Sequence, residues 1–124
     1  MLNHFARDAE HVYLALGATD FRKQINSLVS LVYLKLELDP FLESSVFIFC
    51  NKKKDSIKVL RYDRTGFILA NKKLLEEMRF QWPKDTEEVK EITAQQVEWL
   101  LQGLEIEPKK AHRDVKIESQ NVCF

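Results

Sequence analysis

The spacing of apolar residues changes twice within the first fifty positions. From His11 to Leu16 it alternates, with Val12, Leu14 and Leu16 on one side and Tyr13 and Ala15 on the other, which predicts a short strand interrupted at Gly17. Phe21, Ile25, Leu28, Val29, Val32 and Leu36 then recur at intervals of three and four, predicting one face of a helix that ends before Asp39-Pro40. Thr19 or Asp20 is placed to accept a hydrogen bond at its start. Lys23, Asn26, Ser27 and Ser30 lie opposite, with Leu34 an exposed apolar residue among them. Val46 to Cys50 reads VFIFC without alternation, the pattern of a strand covered on both faces and therefore central in its sheet.

Beyond Cys50 the polar stretch Asn51 to Ser56 predicts a loop, and Ile57 to Tyr62 alternates again. Asp63-Arg64-Thr65-Gly66 predicts the turn that returns the chain as Phe67 to Ala70. The segment RFQWP is expected to add a short edge strand closed by Pro83. In the last helix, Thr93 and Gln96 match a capping box, Ile92 and Val97 the flanking hydrophobic staple, and Gly103 the left-handed residue beyond the end. Leu104 is then positioned to fold back on Trp99. The expected architecture is α+β, a single domain over residues 1–108 with an antiparallel sheet of about four strands and two main helices. Residues 109–124 are expected to form a flexible tail, with a short strand at Val115 to Ile117.

Composition leaves this picture intact. At 124 residues, 45% hydrophobic and 31% charged with three glycines and three prolines, the chain has the make-up of one globular domain. No apolar run reaches the length of a membrane span and the first residues lack a secretory layout, so a cytosolic protein without membrane contact is expected. Cys50 and Cys123 form neither a CxxC nor a disulfide framework.

Charge adds a feature that the average hides. The net charge is zero, yet between residues 51 and 73 eight basic groups (Lys52, Lys53, Lys54, Lys58, Arg61, Arg64, Lys72 and Lys73) face only Asp55 and Asp63. Between residues 76 and 107 nine acidic groups face Arg79, Lys84 and Lys90. Tyr62 and Phe67 interleave with the basic groups, a combination that suits a nucleic-acid backbone with stacking beside it. The same charges also suit a solvated sheet face that keeps its edges soluble. Arg22-Lys23, expected in the first helical turn, opposes the helix dipole, so helix stability does not account for it.

Catalytic motifs are sparse. His4, His11 and His112 are not spaced as zinc ligands, Gly17, Gly66 and Gly103 are isolated rather than forming a phosphate loop, and no serine or cysteine lies in a nucleophile motif. No metal or cofactor is expected. Asp20, Asp39, Asp55 and Asp63 stand at element boundaries, where aspartates cap and brace turns; a small metal-dependent nuclease using Asp20 with Asp55 or Asp63 is the enzymatic alternative.

Five segments, in order, carry a specific resemblance: YLALGATDFRK, ELDPF, DSIKVLRYDRTGF, KKLLEEMRFQWP and ITAQQVEWLLQGLEIE. They resemble the accessory protein of insertion-sequence family sixty-six, encoded beside a separate transposase and called TnpB or Orf2, which is unrelated to the RNA-guided nuclease of that name. The matching positions are Thr19, Asp20, Arg22, Lys23, Asp55, Ile57, Lys58, Arg79, Phe80, Trp82 and Pro83; Gln24 stands where glycine is expected and Tyr62 where tryptophan is. The resemblance implies a non-catalytic role in DNA transposition, with transposon DNA, the cognate transposase, or both as partners. A protein-interaction module without DNA binding is the further alternative. With the charge pattern, Arg22, Lys23, Lys52, Lys53, Lys54, Lys58, Arg61 and Arg64 become the candidate DNA-contacting residues.

Overall fold

Strand β2 (Ser45–Cys50) is buried at every position, because its side chains serve two cores at once. Val46, Ile48 and Cys50 enter one apolar cluster, while Phe47 and Phe49 enter the other. The computed structural model of the protein describes residues 8–84 and 87–106. Among these residues the strands are β1 (His11–Ala18), β2, β3 (Ser56–Asp63), β4 (Gly66–Lys73) and β5 (Val89–Ile92), in spatial order β4-β3-β2-β1-β5. The expected α+β class holds, with five strands where about four were expected, and β2 is central as VFIFC predicts.

The pairing departs from a purely antiparallel sheet at one junction. β1 and β2 are parallel, with Val12 opposite Val46 and Leu14 opposite Ile48, and the other three pairings are antiparallel. Two neighbouring parallel strands need a crossover, which here is the intervening helix. Gly17 does not end β1: the register slips between Leu14 and Ala18, and the strand resumes with Ala18 opposite Cys50.

The crossover helix starts later than expected. α1 spans Ile25–Ser30 and continues as a wide π turn, Leu31–Lys35, closed by the Leu36 N–H on the Leu31 carbonyl at 3.1 Å. Its N-cap is Gln24, without a side-chain cap bond, rather than Thr19 or Asp20. Thr19 instead extends β1, its N–H on the Cys50 carbonyl at 2.8 Å, and Asp20 closes a turn of its own. Leu28, Val32 and Leu36 are buried and Phe21, Ile25 and Val29 pack beside them, so the expected apolar face is correct. Leu34 is exposed as expected, as is Tyr33.

The opposite face of the sheet is covered by α2 (Ala94–Leu101) and by the segment around Phe80 and Trp82. RFQWP forms no strand. Phe80 and Trp82, two residues apart, both point into the core, so the segment lies across the sheet face rather than along its edge, and the indole Nε1 of Trp82 donates to the Ala15 carbonyl at 3.0 Å. The edge is supplied by β5, whose four residues carry too short a pattern to stand out in sequence.

Both ends of α2 form as expected. Thr93 Oγ1 accepts from the Gln96 N–H at 3.1 Å, and Gln96 Oε1 accepts from the Thr93 N–H at 2.8 Å. Gly103 adopts φ +82°, and the N–H groups of Gly103 and Leu104 bond the carbonyls of Leu100 and Trp99, the two bonds of a Schellman motif. The Leu104 side chain itself stays half exposed. The tail boundary at 109 and the strand expected at Val115 to Ile117 lie outside the described residues. Because the cap hydroxyl satisfies a backbone donor that otherwise has no partner, Thr93→Ala is expected to lower unfolding stability by about 0.5–2 kcal/mol in urea titrations.

Candidate nucleic-acid interface

The parallel pair sends the carboxyl ends of β1 and β2 to the same end of the sheet, where β3 begins and β4 finishes. Three connecting segments meet there, and backbone hydrogen bonds tie them together. Thr19 bonds Cys50, the Leu74 N–H donates to the Asp55 carbonyl at 2.8 Å, and the Phe80 N–H donates to the Lys54 carbonyl at 2.7 Å. Residues far apart in sequence thereby form one surface.

Its first part is the turn Asp20–Lys23. The Lys23 N–H bonds the Asp20 carbonyl at 3.0 Å, and the Asp20 carboxylate accepts the Arg22 N–H at 2.9 Å together with the guanidinium Nη2 at 2.7 Å. Arg22 Nε spans both carboxylate oxygens at 3.1 Å. These bonds, then the positive charge, hold the Asp20 carboxyl down at about 2. The Arg22 side chain is 91% exposed, so the pair adds little to global stability but orients the guanidinium outward, with Nη1 unpartnered among the described residues. Arg22 and Lys23 precede the helix rather than standing in its first turn.

Lys58 fastens this turn from beneath. It is only 6% exposed, its ammonium donates to the carbonyls of Phe21 at 3.0 Å and Lys23 at 2.9 Å, and it sits 5.1 Å from the centre of the Phe21 ring. A buried ammonium needs such acceptors, and having them it is unavailable to a phosphate. Lys58, expected among the DNA-contacting residues, is therefore a brace.

The second part is the loop carrying the three consecutive lysines. Asn51 organises it: its side-chain carbonyl accepts from the Asp55 and Ser56 N–H groups at 3.1 and 3.2 Å, and its amide donates to Asp55 Oδ1 at 2.7 Å. That hydrogen bond is the main reason the Asp55 carboxyl lies below its ordinary value, with Ser56, Lys73 and Arg79 adding to it. Lys52 and Lys53 project into solvent, and Lys54 takes the left-handed conformation at φ +63°, which turns its carbonyl toward Phe80. Beside it runs a groove of about 450 Å³ bordered by Lys54, Arg79, Trp82, Pro83, Lys84 and Glu105. Arg79 and Lys84 belong to the acidic half of the sequence and were not among the candidate residues. Arg79 stands among the positions of the family resemblance, but nothing local joins either cation to the lysine loop, because only the fold over the sheet brings that segment to Lys54.

Arg61 and Arg64 are not part of this surface. They lie toward the far end of β3, an eight-residue strand about 23 Å long. Arg61 donates to the Glu43 carbonyl and, at 2.8 Å, to Asp8; Arg64 lies 4.0 Å from Glu43. Tyr62 and Phe67 pack with Phe41 at that end and do not interleave with the lysine loop. Lys72 donates to the Leu101 carbonyl at the end of α2. Asp63 is likewise remote from Asp20 and Asp55, which share the basic end but are each engaged by their own loop. Among the described residues no three His, Cys, Asp or Glu side chains are grouped to hold a metal ion. Cys50 is buried in the core, which pushes its thiol up to about 12.

The model for the family described as "IS66 Orf2 like protein" matches residues 10–111, most of the chain and all of the described sheet and helices. The chain belongs to the IS66 Orf2-like family. It is thus an accessory protein of insertion-sequence transposition, as its five segments suggested. Two proteins of Sinorhizobium fredii (strain NBRC 101917 / NGR234) are similar to it over nearly their whole length. Uncharacterized protein y4jC is 28% identical over 86% of this chain and 92% of the relative; uncharacterized protein y4hO is 32% identical over 86% and 91%. No solved structure matches. No helix among the described residues is long and apolar enough to cross a membrane.

Two outcomes test this geometry. Lys58→Met removes two charge-assisted bonds and leaves two carbonyls without their donor, so chemical denaturation is expected to register a loss of about 1–3 kcal/mol. The Asp20 carboxyl titrates below its unfolded value, so the turn keeps its ion pair above about pH 4 and loses it as pH falls through about 2. Carboxyl-carbon NMR should find that midpoint, and Arg22→Ala should return it toward the ordinary 3.8.

Proposed function

We propose that this member of the IS66 Orf2-like family is a non-catalytic cytoplasmic factor that grips the backbone of transposon DNA with the basic end of its sheet. Arg22, Lys23, Lys52, Lys53 and Lys54 make the contacts, and Lys73, Arg79 and Lys84 extend the positive field around them. What supports this reading is the convergence itself: cations from separate segments meet at one end of a chain whose net charge is zero. Backbone hydrogen bonds hold their loops in place before any ligand arrives, which lowers the ordering cost of binding. Lysines on a loop and an outward guanidinium suit phosphate oxygens rather than base edges, so binding is expected to depend on salt more than on sequence.

Gel-shift or fluorescence titrations with element-end and random duplex DNA test it. Three or four phosphate contacts give a log–log salt slope of about −3, at roughly 0.9 per phosphate. Replacing Lys52, Lys53 and Lys54 together with alanine should remove about two to three units of that slope and most of the affinity, with folding intact. Arg64→Ala, at the other end of the sheet, should change neither. An absence of binding to either DNA at low ionic strength overturns the reading and moves the same charges to a test against purified transposase.

A further inference from the structure

The two edges of the sheet are built differently. β5 is four residues long, carries Lys90 and Glu91, and its Glu91 is tied to His11 at 2.7 Å. Short length and charge are the usual protection of an edge. β4 has neither in its middle. It runs eight residues, pairs with β3 through eight consecutive positions without a break in register, and reads Phe67-Ile68-Leu69-Ala70 with no charge before Lys72 and no proline. Ile68 is 40% exposed at its centre, and no strand pairs with its outer side among the described residues. Alternate residues of such a strand direct N–H and C=O groups outward, where they can template another strand.

We propose that β4 is the surface through which two copies of this chain associate, edge to edge and antiparallel, joining their sheets into one. The occupant is a second copy because the two ends of β4 complement each other. At the carboxyl end stand Lys73 and, two residues beyond it, Leu75, which is 79% exposed. At the amino end stand Asp63 and the half-exposed Phe41, which packs edge-on against Tyr62 and Phe67, while Arg64 is countered by Glu43. An antiparallel two-fold sets each carboxyl end against the amino end of the second copy, bringing Leu75 toward the aromatic group and Lys73 toward Asp63. A parallel pairing would instead bring lysine to lysine. A net charge of zero leaves no long-range repulsion between the copies. The inference does not rest on DNA binding, since the edge contains none of the five proposed contact residues and shares only Lys73 with the positive field around them.

Sedimentation of the full chain, with amide hydrogen exchange across β4, tests it. The expected mass is twice that of the 14.6 kDa chain, with β4 amides protected. Ile68→Lys puts a charge in the middle of each edge and Leu75→Glu one at its end; both should sediment as monomers with unchanged circular dichroism. In the monomers, the outward β4 amides should exchange at least about tenfold faster. A monomeric wild type overturns the proposal, as does a dimer that survives both substitutions or one whose β4 amides exchange as in the monomer. If Ile68→Lys fails to fold, Leu75→Glu decides alone, because its side chain is exposed.

Discussion

Strand β2 is bonded on both sides and covered on both faces, and the remaining elements are placed by that requirement. Phe47 and Phe49 need an apolar layer on one side, which α1 provides, while Val46, Ile48 and Cys50 need one on the other, which α2, Phe80 and Trp82 provide. The apolar area removed from water in these two layers is the main favourable term holding the sheet. Parallel pairing with β1 follows from using α1 as the crossover, and it brings two carboxyl ends to the same place. The basic end of the molecule is therefore a consequence of how its central strand is buried.

That end is assembled mainly by backbone bonds and by one buried cation. Lys58 shows how a charge that looks like part of a binding surface in sequence becomes a structural element once the sheet covers it. Its ammonium replaces water with two carbonyls, and in doing so shapes the turn that carries Arg22 and Lys23. Asn51 does the corresponding work in the lysine loop through neutral hydrogen bonds. The exposed cations thus stand on braced loops. Their braces are residues that a count of surface charges would either include wrongly or pass over.

The sheet edges and ends divide the molecule further. One end gathers cations from the Asp20 turn, the lysine loop and the segment of Arg79 and Lys84; the other keeps its arginines against Asp8, Glu43 and carbonyl oxygens. A charge excess counted over residues 51–73 merges these two environments, because a hairpin strand carries consecutive residues from one end of the domain to the other. An extended strand of eight residues is long enough to separate them beyond the screening distance of physiological salt.

The sequence by itself determined the features whose causes are local. The unbroken VFIFC run marked the central strand, Asp63 to Gly66 marked the hairpin turn, and Thr93, Gln96 and Gly103 marked both ends of α2, since caps and turns are made by neighbours in the chain. The five segments also carried the family. Only the tertiary structure decided where α1 begins, because the carbonyls of Phe21 and Lys23 are taken by a lysine thirty-five or more residues away. It decided that Phe80 and Trp82 lie across the sheet while β5 forms its edge. It also separated Lys58, Arg61 and Arg64 from the exposed lysines and brought Arg79 and Lys84 to them. Those outcomes depend on which segments meet across the sheet, and long-range pairing leaves little trace in the local pattern of a single chain.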